Sequence, residues 1–151
     1  MKIFNLSKHC ILLLPVLMIL SLISCNEISH GEQRRKFEFL YKMNNSVAFL
    51  AEYTGSLTYF KDIEFYEDRM SKISEDVKKF PTIETWDVSG KIKEKFLNVI
   101  KSNLQNTSHL KTLKLKPEDN VKKEFDIIEM NERVNNFRDE LDQEIVNAGK
   151  K

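Results

Sequence analysis

Residues 57–80 of the chain have the sequence LTYFKDIEFYEDRMSKISEDVKKF, and this stretch decides the fold class. Its apolar side chains recur every three or four residues, which is the spacing of one face of an α-helix. Acids and bases alternate on the opposite face, as on an amphipathic surface helix. Pro81 ends the helix because its ring disfavours helical geometry at Phe80 and supplies no N–H. The apolar positions are Leu57, Phe60, Ile63, Tyr66, Met70, Ile73, Val77 and Phe80.

A second helical pattern precedes this stretch. It begins near Gln33, and Thr54-Gly55-Ser56 separates it from residues 57–80, since glycine is favoured just after a helix and serine is favoured as an N-cap. The sequence therefore predicts a helical hairpin. The apolar face of its first helix consists of Phe37, Leu40, Met43, Val47, Leu50 and Ala51.

Two more helical patterns follow a linker, Pro81 to Gly90, which contains Trp86. The third helix is predicted from about Lys91 to Lys114, with a polar interruption at residues 106–108 where it could kink or break. The fourth is predicted from Pro117, a favoured first helical residue, to Gly149. Their apolar positions are Ile92, Phe96, Val99, Ile100, Leu104, Leu110 and Leu113, then Val121, Phe125, Ile128, Val134, Phe137, Leu141 and Ile145.

The composition agrees with an all-α fold. The 151 residues include only four glycines and three prolines, whereas Lys, Glu, Leu, Ile and Phe are abundant. Four amphipathic helices with short connections predict an antiparallel bundle of about four helices over residues 33–151.

The N-terminus has the parts of a bacterial lipoprotein signal. Lys2 and Lys8 come before an apolar run that ends in Leu22-Ile23-Ser24-Cys25, a lipobox. The sequence predicts a signal peptide over residues 1–24, lipidation of Cys25, and a flexible tether over residues 25–32. An uncleaved membrane anchor is the alternative, but the apolar run is about 14 residues long and contains Pro15, whereas a spanning helix needs roughly 20 apolar residues. With Cys25 lipidated and Cys10 removed, no structural disulfide is expected.

Charge is balanced overall but uneven along the chain. Residues 25–151 have 22 basic and 23 acidic groups, so no nucleic-acid partner is expected. Residues 91–116 hold seven lysines and one acid, whereas residues 118–144 hold ten acids and four bases. Either the two helices attract each other, or the lysines bind an anionic ligand such as a glycosaminoglycan. Because the lysines scatter around the helix, we favour the first interpretation.

No catalytic, metal or cofactor motif is present in the sequence. The chain has no Gly-x-Ser-x-Gly element and no glycine-rich phosphate loop, and His30 and His109 lack the companions that a zinc site needs. We therefore expect no enzymatic activity, no cofactor and no metal.

Aromatic residues are concentrated in the first half of the bundle. Nine of the fourteen aromatic side chains after residue 24 lie between Phe37 and Tyr66. Either another helix or the linker covers the surplus, or it forms an exposed patch of the kind that marks partner surfaces. The predicted partner-binding residues are Phe39, Phe49, Tyr53, Phe65 and Trp86.

The lipobox with Asn26 after Cys25, the short polar segment and the helical domain rich in Lys, Glu, Asn, Ile and Phe resemble the small surface lipoproteins of Borrelia spirochaetes. Small lipoproteins of Bacteroidetes are similar in their Ser-Cys-Asn-Glu junction. The first resemblance implies display on the outer surface of the outer membrane and binding of host proteins, complement regulators or glycosaminoglycans. It assigns no functional residue in the helical domain.

Two functions follow as expectations. The first is a lipoprotein anchored through acyl chains on Cys25, displayed at the cell surface and bound to a host or envelope protein. The second is a periplasm-facing lipoprotein that is structural or self-associating and has no host ligand.

Overall fold

The computed structural model describes the backbone of residues 7–60, 62–113 and 117–149, and the side chains of residues 30–57, 62–113 and 120–149. Within these ranges the chain forms four α-helices and no β-strand, which confirms the all-α prediction. Contacts divide the chain into two units, Met1–Arg35 and Lys36–Lys151, and the described core belongs to the second. The helices are α1 (Ser7–Phe60), α2 (Ile63–Lys78), α3 (Val88–Thr112) and α4 (Pro117–Gly149).

Successive helices in the bundle run antiparallel. Tyr53, near the end of α1, contacts Phe65 at the start of α2. Thr107, late in α3, hydrogen-bonds Glu67 early in α2. The same relation holds between α3 and α4, because Lys95 pairs with Glu140 whereas His109 pairs with Asp126. The predicted up-and-down arrangement is therefore confirmed.

The core is a seam of side chains spaced alternately three and four residues apart, as in coiled-coil packing. On α1 the seam continues to Leu57, and on α4 it begins at Ile127. Phe96 and Phe137 stack across the α3–α4 interface with their ring centroids 5.1 Å apart. The other buried apolar residues are Phe39, Leu40, Met43, Val47, Leu50, Tyr66, Met70, Val77, Ile92, Ile100, Leu110, Met130, Val134 and Leu141.

The junction between the first two helices differs from the prediction. Helix α1 passes through Gly55 and ends at Phe60, because the seam of buried side chains continues to Leu57. The hydroxyl of Thr54 donates to the Leu50 carbonyl and that of Ser56 to the Tyr53 carbonyl, within the helix. The N-cap of α2 is instead Asp62, whose Oδ1 accepts from the backbone N–H of Phe65 at 2.9 Å.

Helix α3 also differs, at its start and at its middle. It begins at Val88, three residues before the predicted start, because the Oγ atom of the buried Ser89 accepts from the backbone N–H of Ile83 at 2.8 Å. It does not break at residues 106–108, since Thr107 Oγ1 lies 2.8 Å from both the Leu104 carbonyl oxygen and Glu67 Oε1.

Two predicted core faces are partly wrong. On α1 the side chain of Phe37 is 42 % exposed, whereas Phe39, predicted to lie off the face, is 4 % exposed. On α4 a second apolar stripe competes with the seam, and only the stripe that keeps the three-and-four spacing from Ile127 to Leu141 is buried. The exposed stripe consists of Val121, Phe125 and Ile128, which are 60 %, 72 % and 54 % exposed.

The segment predicted as a flexible tether, residues 25–32, has helical backbone within α1. No proline interrupts the chain between Cys25 and Arg35, and Glu32, Gln33 and Arg34 are good helix formers. The flexibility of this segment stays a prediction.

Candidate binding surface

Three predicted partner-binding residues lie together on one face of the bundle. Phe49 and Tyr53 are one turn apart on α1, and Tyr53 meets Phe65 of α2 edge to face, with 5.8 Å between ring centroids and 78° between the rings. Phe49 is 52 % exposed and Phe65 is 43 % exposed. Arg69 lies one turn after Phe65. We call Phe49, Tyr53, Phe65 and Arg69 the α1–α2 aromatic surface.

The Arg69 guanidinium makes cation–π contacts with the rings of Phe65 and Tyr53. Its Cζ atom is 4.8 Å from the ring centroid of Phe65 and 5.8 Å from that of Tyr53, within cation–π range of both. Its Nε atom is buried and has no hydrogen-bond partner in the described part of the chain. The guanidinium thus forms part of the aromatic cluster.

An open groove continues this surface along α1 and α2. Phe49 belongs to both features, and Ile73, one turn after Arg69, lines the groove on the α2 side. The volume of the groove is about 420 Å³. Its lining combines apolar and charged side chains, a composition that suits a protein segment. The other lining residues are Lys42, Asn45, Ser46, Asp76, Lys79 and Phe80.

The other two predicted binding residues lie elsewhere, in contact with each other. The rings of Phe39 and Trp86 meet edge to face, at 90° and with 5.9 Å between centroids. Trp86 is partly buried against the core. It lies in a turn in which its backbone N–H donates to the Ile83 carbonyl at 2.9 Å. For Phe39 the structure thus favours the alternative that the linker covers the aromatic surplus.

The side chain of Cys25 lies outside the described side chains, so the lipidation of Cys25 stays a prediction.

A buried polar layer crosses the bundle, and the apolar periodicity did not predict it. Tyr66 Oη on α2 lies 3.2 Å from Thr54 Oγ1 on α1 and accepts from Asn103 Nδ2 on α3 at 3.1 Å. Arg133 Nη1 on α4 donates to Asn103 Oδ1 at 2.9 Å, and Arg133 also pairs with Glu129. Burial raises the pKa of the Tyr66 hydroxyl. These groups satisfy one another, so the layer contributes structure and specificity of packing.

The lysines of α3 mostly contact groups of the same chain. Lys93 Nζ donates to the Lys78 and Phe80 carbonyls at the end of α2, at 2.7 and 2.8 Å. Lys95 Nζ donates to Glu140 Oε1 at 2.7 Å, across the α3–α4 interface. The remaining pairs are Lys91 with Asp87 and Lys111 with Glu67. Among these lysines Lys95 pairs with an acid of α4, as attraction between α3 and α4 predicts, whereas Lys93 and Lys111 contact residues of α2 or its end.

The described ranges contain no candidate for a metal site or for a membrane-spanning helix. No group of three or more His, Cys, Asp and Glu side chains there could hold a metal ion. No helix in that part of the chain is long and apolar enough to cross a membrane. His109 Nδ1 lies 2.7 Å from Asp126 Oδ2, a contact that links α3 to α4.

Comparison of the chain with protein-family models, with curated proteins and with solved structures gave no match. Function is therefore inferred from the sequence and from the geometry of the described side chains.

Proposed function

We propose that this chain is a lipid-anchored protein of the bacterial outer membrane that is displayed at the cell surface and binds a protein partner through the α1–α2 aromatic surface. The exposure of Phe49 and Phe65 beside Tyr53 and Arg69 is the observation that supports this proposal. Aromatic and arginine side chains dominate the energetics of protein interfaces. The lipobox at Cys25 supports the membrane attachment.

The contacts of the α3 lysines favour a protein partner over a glycosaminoglycan. Lys93, Lys95 and Lys111 already donate to carbonyl or carboxylate oxygens of the same chain. An anionic ligand would have to compete with these contacts. A partner that covers the α1–α2 aromatic surface does not have to displace such contacts, because burial of apolar surface stabilises the complex directly.

The second candidate function is self-association of a periplasm-facing envelope protein. The exposed stripe of Val121, Phe125 and Ile128 on α4 favours it, because three large apolar side chains at helical spacing form an unpartnered apolar face in the described chain. This stripe and the α1–α2 aromatic surface predict different contacts, so one experiment separates them.

Site-specific photo-crosslinking tests both candidates. A photoreactive phenylalanine analogue is placed at Phe49, Phe65 or Phe125, and at Arg138 as a control, since Arg138 is an exposed polar position of α4. Living cells are irradiated with and without host serum. We expect positions 49 and 65 to give the same discrete adduct and position 138 to give none. If positions 49 and 65 give no adduct, the first candidate function is contradicted. An adduct of two copies of the chain from position 125 supports the second candidate function.

A further inference from the structure

Arg69 differs from two lysines that follow it, Lys72 on α2 and Lys79 just after the end of α2. Lys72 Nζ donates to Asp68 Oδ2 at 2.8 Å, and Lys79 Nζ donates to Asp76 Oδ1 at 3.0 Å. Arg69 forms no ion pair of this kind within the described chain, and the residues four positions away from it on either side are Phe65 and Ile73. The helix therefore supplies no carboxylate at the positions where one would reach the Arg69 guanidinium.

The nearest acid in sequence is already engaged. This acid is Asp68, which precedes Arg69. The hydrogen bond from Lys72 is the main cause that lowers the pKa of the Asp68 carboxyl, and the positive charge of Arg69 lowers it further. A guanidinium that lies near two aromatic rings and has a buried, unpartnered Nε is an uncommon arrangement, because buried polar groups are nearly always hydrogen-bonded. Because Nε is buried, the N–H groups of Nη1 and Nη2 are the part of the guanidinium suited to a carboxylate.

We infer that Arg69 is an anion-binding residue, and that the α1–α2 aromatic surface accepts a protein segment in which one carboxylate is next to an apolar side chain. This inference rests on the proposed function and specifies the chemistry of its partner. The carboxylate pairs with the Arg69 guanidinium through two parallel hydrogen bonds. The adjacent apolar side chain covers Phe65 and Phe49.

The charges of the neighbouring groove favour a segment with a single acid. Lys42 and Lys79 line the groove, and Asp76, which pairs with Lys79, lines it too. Asp76 would repel a second carboxylate placed along the groove, and its pairing with Lys79 cancels one of the two positive charges there. Apolar side chains next to the acid would instead contact Ile73 and Phe80, which also line the groove.

A matched pair of small molecules tests the inference. N-acetylphenylalanine carries a carboxylate beside an aromatic ring, and N-acetylphenylalaninamide has the same ring without the charge. The full chain, in zwitterionic detergent micelles, is titrated with each, and the backbone amide resonances of Phe65 and Arg69 are followed by NMR. We expect the acid to bind about tenfold more tightly than the amide, at the lower end of what a hydrogen bond to a charged group contributes.

Variants of two cations on α2 identify the group responsible. Arg69→Gln should remove the preference for the acid, and Arg69→Lys should keep part of it, since lysine retains the charge but lacks the planar pair of donors. Lys78→Gln removes the same charge at an exposed position of the same helix and should leave the preference unchanged. Melting curves followed by circular dichroism verify that each variant remains folded.

Several results would overturn the inference. They are equal binding of acid and amide, binding of neither, or loss of the preference in Lys78→Gln as well. If photo-crosslinking from positions 49 and 65 succeeds while the acid shows no preference, the partner surface stands and the role of Arg69 is wrong. If the acid preference depends on Arg69 but no adduct forms, the proposed protein partner is wrong.

Discussion

Asn103 of α3 donates a hydrogen bond from Nδ2 to the buried Oη atom of Tyr66 of α2, with 3.1 Å between the two atoms. Asn103 is itself fully buried and also accepts from Arg133 of α4. The amide therefore connects three helices at a single level of a mostly apolar seam. A buried polar contact of this kind stabilises one register of the helices over the others.

Asn103→Ala should lower the free energy of unfolding by about 2–4 kcal/mol, because it removes the donor to the buried Tyr66 Oη atom and the acceptor for Arg133 Nη1. Urea denaturation followed by circular dichroism measures the loss. The control is Asn98→Ala, the same substitution at an exposed position of α3, which should change stability by less than about 0.5 kcal/mol. Equal effects of the two substitutions would show that the polar layer does not stabilise the bundle.

Phe137→Ala should cost about 3–5 kcal/mol, since its ring is 3 % exposed and stacks on Phe96. Phe125→Ala makes the same truncation on the same helix at a side chain that is 72 % exposed, and it should be nearly neutral. Thermal melting of both variants gives the comparison. A large loss for Phe125→Ala would mean that the α4 stripe is covered in solution, as self-association requires.

Glu67 makes the stability depend on pH. The hydrogen bond from Lys111 is the main cause that holds the pKa of its carboxyl below the ordinary value of 4.5, and the Thr107 hydroxyl adds to it. A carboxylate with a lowered folded-state pKa stabilises the fold above the unfolded-state pKa, and this contribution is lost as the pH falls through the folded-state pKa.

The loss of stability between neutral pH and acid pH below 4.5 should therefore be smaller in Glu67→Gln than in the unaltered chain. Urea denaturation at both pH values checks this difference. Glu75→Gln, at an exposed position of the same helix, is the control. An identical pH dependence in Glu67→Gln and the unaltered chain would exclude a contribution from this ion pair.

Cys25→Ala should abolish labelling of the protein with radioactive palmitate and leave an unprocessed precursor, because Cys25 is the predicted acyl acceptor. Gel electrophoresis with autoradiography detects both changes. Ser24→Ala, a small residue beside the cleavage point, should preserve labelling. A Cys25→Ala protein that still incorporates palmitate would refute the lipobox interpretation.

Periodicity predicted the four helices and their antiparallel order, because residues 57–80 and the later apolar positions repeat at helical spacing. It did not predict where α1 ends. Gly55 is a weak breaker beside a seam that continues to Leu57, and Asp62 is the better N-cap. The tendency of Gly55 to end a helix was therefore outweighed by the packing of Leu57 in the next turn.

The polar layer could have been found from the sequence, whereas the arginine site could not. Thr54, Asn103 and Thr107 occupy core positions at the same three-and-four spacing as their apolar neighbours, and a polar residue at such a position predicts a buried network. Arg69 and Phe65 are one turn apart on α2, but Tyr53 comes from α1. The contact depends on the register between the two helices, which the sequence does not provide.

Protease treatment of intact cells tests the display of this domain. An epitope tag is appended after Lys151 through a linker that a site-specific protease cleaves, and a periplasmic protein with the same linker and tag is the control. If the domain is at the cell surface, the tag is lost from intact cells while the control keeps it. A tag that survives until the outer membrane is permeabilised would contradict surface display and favour the periplasm-facing, self-associating protein.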